Sequence, residues 1–344
     1  MFNIAVCASG MVTSVGLNAP ATCAAIRCGL TNFTETRFMD KNGEWLTGGY
    51  VPLDQPWRGR AKLVHLIAPA IRECLSAVED IPTGQIPLFL CVAEKDRPGR
   101  FDGIDDLLSD EEQEKLNLRF HQKSSIISQG LVGGVHAIRQ AATLLYQERL
   151  SYCIVAGVDT FLTAGTLTAF EKNDRILTEA NSDGFIPGEA GAALLLSPSS
   201  TKSDKQMIIK GIGYGKEEAF IDSGEPLRAE GLVQAFKEAL STAGLSMGDL
   251  DYRITDANGE QYNFKEGDLA VTRTLREHKG EFDIWHPADC TGEIGAATVF
   301  CVLGIAEAAA RKDYSRGNNV LCHFGNDNGA RAAMILTFSS NGGA

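Results

Sequence analysis

Two hydrophobic periods take turns along this chain, and their switches predict its elements. "FNIAVCASG" (2–10), "PLFLCVAE" (87–94), "YCIVAGVDT" (152–160) and "AGAALLLS" (190–197) are apolar runs of strand length. Between them, "APATCAAIRCG" (19–29) repeats apolar residues at helical spacing and is closed by Gly29. "GVHAIRQAATLLYQE" (134–148) does the same, with Ile138, Ala142 and Leu145 on one face. The polar, Ser-rich "PSSTKSDK" (198–205) then reads as a linker.

The alternation resumes beyond it. "QMIIKGIGYG" (206–215) predicts a strand. "RAEGLVQAFKEALSTAG" (228–244) predicts a helix with Leu232, Ala235, Phe236 and Leu240 on one stripe. "DLDYRITDANG" (249–259) carries a strand, "TVFCVLGIAEAAARK" (298–312) is a strongly apolar helix, and "NNVLCHFG" (318–325) and "RAAMILTF" (331–338) are strands. Two successive βα-rich stretches, 1–198 and 206–344, predict an α/β architecture of two similar halves with buried sheets.

Composition narrows the function classes. The 344 residues are 44% apolar and 8% aromatic, enough for a full core. A net charge of −12, with no run of Lys/Arg that could track phosphates, argues against nucleic acid and anionic membranes. An acidic carrier protein could be met only through a local basic patch, for which "RGRAK" (58–62) and "RPGR" (97–100) are candidates; the alternative is that both are solvated loops. No run is apolar and long enough for a membrane helix, and "MFNIAVCASG" reads as a strand rather than a leader. Nine cysteines without a C-x-x-C pair point to free thiols in a reducing cytoplasm, with Cys7, Cys91 and Cys153 in buried strands. Cys23 and Cys28 do not share a helical face, so no metal and no cofactor are expected.

The candidate chemistry centres on "SQGLVGGVHAIRQA" (128–141), a small-residue turn running into a helix. Such turns expose a nucleophile at a helix N-terminus that favours negative charge. Its apex holds Leu131, which cannot be acylated.

Several motifs resemble the β-ketoacyl synthases of the thiolase superfamily, in order and spacing. "GMVTSVGLNAPATCAAIRCGLTNF" (10–33) resembles their opening segment. "GLVGGVHAI" (130–138) resembles the nucleophile turn C-x-x-G-x-H-x-I, and "SDGFIPGEAGAALLL" (182–196) resembles D-G-F-V-x-G-E-G-A-G-x-L-V-L. "DCTGEIGAAT" (289–298) and "CHFGNDNGARAAMILTF" (322–338) resemble the family's C-terminal loops. The resemblance implies a five-layer αβαβα thiolase fold, usually dimeric, with "PLFLCVAE" and "KSSIISQGLVGG" (123–134) flanking the dimer interface. It also implies that Leu131 stands at the Cys position. Asn258 and Glu293 stand at the two His positions, and Ala288 at the Lys position. Glu293 would oppose a bound carboxylate unless burial kept it neutral. Asp183, Gly184, Gly188 and Glu189 read as structural.

The expectation is therefore a pseudoenzyme that acts by binding, with Leu131, Asn258 and Glu293 as vestigial positions. It would be either a partner subunit of an active ketosynthase or an adaptor or co-chaperone of the kind found beside type VI secretion genes. Protein partners (a ketosynthase, an acyl-carrier protein or a secreted effector) and a homodimer are expected. Asn258, Glu293, Phe324, Asn326 and Cys322 are candidate ligand-binding residues, Asp327 could join the same polar cleft, and His136 is expected to pack. The alternative is an acyltransferase, decarboxylase or hydrolase of altered chemistry, using Glu293 with Asn258 or a relocated Cys322–His323 pair. Against that pair, successive side chains of a strand face opposite ways.

Overall fold

The computed structural model describes residues 3–199 and 206–339. Most of the predicted linker, 200–205, lies outside the described residues. The first half contains β1 (Ile4–Val12), α1 (Ala19–Arg27), the hairpin β2 (Thr34–Met39) and β3 (Trp45–Gly48), α2 (Gly59–Leu75), β4 (Leu88–Val92), α3 (Leu108–Leu116), β5 (Ser125–Ser128), α4 (Gly130–Gln147), β6 (Cys153–Thr160), α5 (Ala164–Lys172) and β7 (Glu189–Pro198). The second contains β8 (Gln206–Lys216), α6 (Glu230–Ala243), β9 (Tyr252–Thr255), α7 (Gln261–Thr274), β10 (Ile284–Trp285), α8 (Ala288–Thr291), α9 (Thr298–Arg311), β11 (Asn319–Gly325) and β12 (Ala330–Ser339).

Read inward from each outer edge, the two halves share one strand order: β5-β4-β6-β7-β1 and β10-β9-β11-β12-β8. In each the first three strands run parallel and the last two pair antiparallel. The two sheets are not separate, as two halves alone would suggest. β1 and β8 pair antiparallel over Ile4↔Ile209, Ala5↔Ile208 and Val6↔Met207, giving one ten-stranded sheet.

Alternate strand residues sort the core into three layers. In β6, Cys153 and Val155 face a central layer, while Ile154, Ala156 and Val158 face an outer one. Helices α4 and α9 fill the central layer, α2 and α3 cover the first sheet, and α6 with Ala270 of α7 covers the second. This is the five-layer αβαβα arrangement. The glycines of "GIGYG" explain how α6 lies so close to β8: a Cβ on Gly211 would stand 2.1 Å from the Ala239 carbonyl oxygen, and one on Gly213 2.1 Å from that of Ala235.

Helix α2 departs most from the hydrophobic pattern. Its start is the basic "RGRAK" stretch and its interior holds Pro69, two signals against a helix. Burial of Leu66, Ile67, Ala70 and Ile71 against β1 and β7 overrides both.

Candidate functional site

The strand–turn–helix junction forms where the sequence places it. β5 ends at Ser128, Gly130 takes φ +57°, and α4 begins there. A Cβ at Gly130 would meet Glu94 Oε2 at 2.5 Å, so only glycine suits the turn. Leu131 lies half-buried on the first turn of α4 and faces a cleft. The N–H of Val132 donates to Asn326 Oδ1 at 3.0 Å, and Asn326 Nδ2 donates to the Gln129 carbonyl at 2.7 Å. Asn326 thus caps a backbone donor that would otherwise serve an anion at this helix start.

The cleft has little free space, about 40 Å³. Two arginine clusters fill it. Arg97 pairs with Glu94 at 2.6 Å and Asp159 at 2.9 Å, its guanidinium 4.2 Å from the Phe161 ring. Arg175 pairs with Glu260 and Asp327, both at 2.7 Å, between Phe170 and Phe185. Both arginines are buried, and the attached carboxylates hold their charge against burial.

Glu293 occupies the floor. Its Oε2 accepts from Asn258 Nδ2 at 2.8 Å and its Oε1 from the Gly295 N–H at 2.8 Å. Burial pushes its pKa up to about 7, partly offset by the two donors. Asp256 is likewise raised to about 7 by burial, although Gly325 donates to it at 2.7 Å. Glu94, Asp159, Asp256, Glu260, Glu293 and Asp327 thus gather around two guanidiniums. A negative substrate carboxylate would meet net repulsion here, and no thiol or hydroxyl nucleophile lines the cleft.

Of the sequence candidates, the fold brings Leu131, Asn258, Glu293, Asn326 and Asp327 together. Cys322 and Phe324 do not join them. Both lie on the inner face of β11 in the central hydrophobic layer, 0% and 1% exposed, and burial pushes the Cys322 thiol far up. His323 points to the opposite face of the sheet, against Phe236 at 5.4 Å, and burial lowers its pKa to about 3. A relocated Cys–His pair is therefore excluded by the strand's alternation.

Neither basic stretch is a solvated loop, and every charge in them except Arg58 is internally paired. Arg97 is inside the cleft, Arg100 pairs with Asp105 at 2.7 Å and Arg60 with Glu111 at 2.8 Å. Lys62 pairs with the buried Glu189 at 2.7 Å, leaving Arg58 exposed. Glu189 also accepts from the Val51 N–H and Thr160 Oγ1, and Asp183 accepts from the Gln261 N–H, so both carboxylates brace loops as expected. His136 packs, stacking on Tyr214 at 4.6 Å. Sequence reasoning missed Arg97, Arg175, Asp159 and Glu260. Isolated charges give no periodic signal, and only their convergence in space marks them.

No family model matches the chain. By sequence it is similar to a protein of Schizosaccharomyces pombe that bears the name of a mitochondrial 3-oxoacyl-[acyl-carrier-protein] synthase, 26% identical over 179 residues. That match covers 47% of this chain and 42% of the relative, so the chain spans less than half the length of the relative it matches. By structure it is similar to a chain of the ketosynthase–chain length factor complex of Xenorhabdus doucetiae, with a TM-score of 0.76 at 14% identity, covering 98% of each chain. A chain of a type II polyketide ketosynthase assembly with its acyl-carrier protein gives a TM-score of 0.80 at 14% identity, covering 98% of this chain and 99% of that one. The chain has the thiolase fold of the β-ketoacyl synthases. Within that fold, Leu131 lies where the motif resemblance puts the nucleophile. Among the described residues no group of side chains could hold a metal ion, and no helix is long and apolar enough to cross a membrane.

Proposed function

We propose that this thiolase-fold chain is a non-catalytic partner subunit that acts by binding a second thiolase-fold chain. The observation that carries the reading is the occupied cleft. Leu131 stands where the motif resemblance puts a nucleophile, Asn326 caps the neighbouring helix donor, and two arginine–carboxylate clusters occupy the space beside it. Losing one catalytic group is compatible with altered chemistry; filling the site with mutually satisfied charges is not. One of the similar structures is a ketosynthase in complex with its chain length factor.

The surface that supports this reading is the free edge of β5, where no further strand pairs among the described residues. Ile127 is buried, Ile126 half-buried and Ser125 exposed along it. An edge of this kind pairs readily across a two-fold axis. We further propose that residues 1–198 and 206–344 act as two structural halves of one subunit rather than as independent modules. The direct test is co-expression with a catalytically active ketosynthase encoded beside it, followed by size exclusion. Joint elution that is lost on Ile126→Lys supports the partner role. Elution of the chain alone, together with capture of a secreted effector, supports the adaptor role instead.

A further inference from the structure

A second, larger groove lies away from the occupied cleft. It holds about 600 Å³ between the hairpin β2–β3, the start of α2 and the loop after β6. The loop separates the two: Phe161 faces the cleft and Leu162 faces this groove. One wall is β2 itself, since five successive residues, Thr34–Phe38, line it. β2 pairs only with β3, so its other edge is free of strand partners among the described residues.

The opposite wall is apolar, made of Tyr50, Trp57, Phe101 and Leu162. Beside it the hairpin exposes the paired Met39 and Trp45, 51% and 47% accessible. The rim carries three basic side chains, Arg37, Arg58 and Lys62, the last paired with Glu189, against one carboxylate, Glu35. Arg37 and Arg58 have no carboxylate partner among the described residues, in a chain of net charge −12 where the other arginines of these loops are paired. Arg58 also stands at the N-cap of α2, whose first turn carries neither a side-chain cap nor an acidic residue.

We propose that this groove takes an extended acidic peptide segment of a protein partner by strand addition to β2. The free edge supplies backbone pairing, and alternate side chains of the peptide enter the aromatic wall. Acidic flanks meet Arg37 and Arg58. A compact small molecule would use the wall but not five residues of strand edge, which is why the peptide is favoured. The proposal stands independently of the partner-subunit reading, because it uses a different edge of the molecule.

The test uses the purified full chain and a fluorescein-labelled decapeptide of alternating acidic and apolar residues, Glu-Phe-Asp-Val repeated, read by fluorescence anisotropy. Two control peptides accompany it, one with Lys in place of the acidic residues and one N-methylated at alternate backbone positions. The acidic peptide is expected to bind, the N-methylated one to bind at least about tenfold more weakly, and the Lys peptide not to bind. Arg37→Glu with Arg58→Glu should reverse the preference between acidic and Lys peptides, a gain that misfolding cannot produce. Ile126→Lys should leave peptide binding unchanged even where it abolishes subunit pairing. Equal binding of the N-methylated peptide overturns strand addition. Absence of peptide binding while laurate quenches Trp57 assigns the groove to a small amphiphile and also overturns it. Dissociation of a dimer by the Arg37/Arg58 variant assigns the groove to a second copy, with the same consequence.

Discussion

Asn258 donates to Glu293 across 2.8 Å, joining the two side chains that the motif resemblance sets against a pair of histidines. The pair is self-contained, since the Gly295 N–H satisfies the other carboxylate oxygen. The folded pKa of Glu293, about 7, lies above its ordinary value of 4.5, so the folded state holds this proton more tightly than the unfolded one. The contribution is favourable below pH 4.5 and is lost as pH rises through 7, by up to about 3 kcal/mol. Melting temperature should fall between pH 5 and pH 8, and Glu293→Gln should flatten that slope. An unchanged slope in differential scanning fluorimetry would mean that Glu293 stays ionised throughout.

Leu131→Cys should not create a condensing enzyme. The new thiol would find Val132 N–H already capped by Asn326, and carboxylates rather than imidazoles facing it. Each missing stabilising group costs about 3–4 kcal/mol of barrier. Intact mass after incubation with acetyl-CoA should show no stable adduct on the wild type, and the variant should give no condensation product with malonyl-carrier protein. Product formation by the single variant would show that the cleft opens far more than its 40 Å³ volume implies.

The fold was legible in the sequence wherever one period dominated. β6, β7, α6 and α9 are uninterrupted apolar runs or clean stripes, and they form where predicted. Short or polar elements were not legible. α3 is mostly charged, the hairpin strand β2 is largely polar, and α2 hides behind Pro69. Within the site, Leu131, Asn258, Glu293 and Asn326 were readable because motifs carry them. Arg97 was misread because a proline- and glycine-flanked basic tetrapeptide looks like a surface loop until Asp159 and Glu94 are seen around it.

Those partners make Arg97 a stability determinant. Its side chain is 3% exposed, and removing it strands Asp159, 5% exposed, and Glu94 in the same pocket. Breaking one side of a buried ion pair costs about 3–5 kcal/mol. Arg97→Met should lower the unfolding free energy from urea titration by that amount at pH 7, and part of the loss should return when Asp159→Asn is added. A single variant as stable as the wild type would show that the cluster is hydrated and open.

Glu112 is the reverse case. Both carboxyl oxygens are buried without a hydrogen-bond partner among the described residues, and burial lifts its pKa to about 8. The folded state therefore binds this proton more tightly, and stability drops as pH rises from 4.5 through 8. Glu112→Met, similar in length and apolar, should stabilise the chain by about 2–4 kcal/mol at pH 7.5, and the gain should vanish near pH 4.5. Urea titrations at the two pH values check both the sign and the window.

The last prediction concerns the edge strand of the partner-subunit reading. β5 ends the first sheet, and its residues 125–128 run directly into the turn that holds Leu131. Pairing across that edge would extend the sheet into a second subunit and hold both turns in place, so assembly and cleft geometry should respond together. If the chain pairs with itself, light scattering at micromolar concentration should give twice its 37.0 kDa mass, with an interface above ~2,000 Å². Ile126→Lys, which sets a charge on the half-buried edge, should then yield monomer with a lowered melting temperature. If the chain pairs only with a ketosynthase, it should be monomeric alone and the same substitution should abolish the mixed species. A chain that stays monomeric alone and in the presence of every co-encoded ketosynthase would remove β5 as an interface and the partner-subunit function with it.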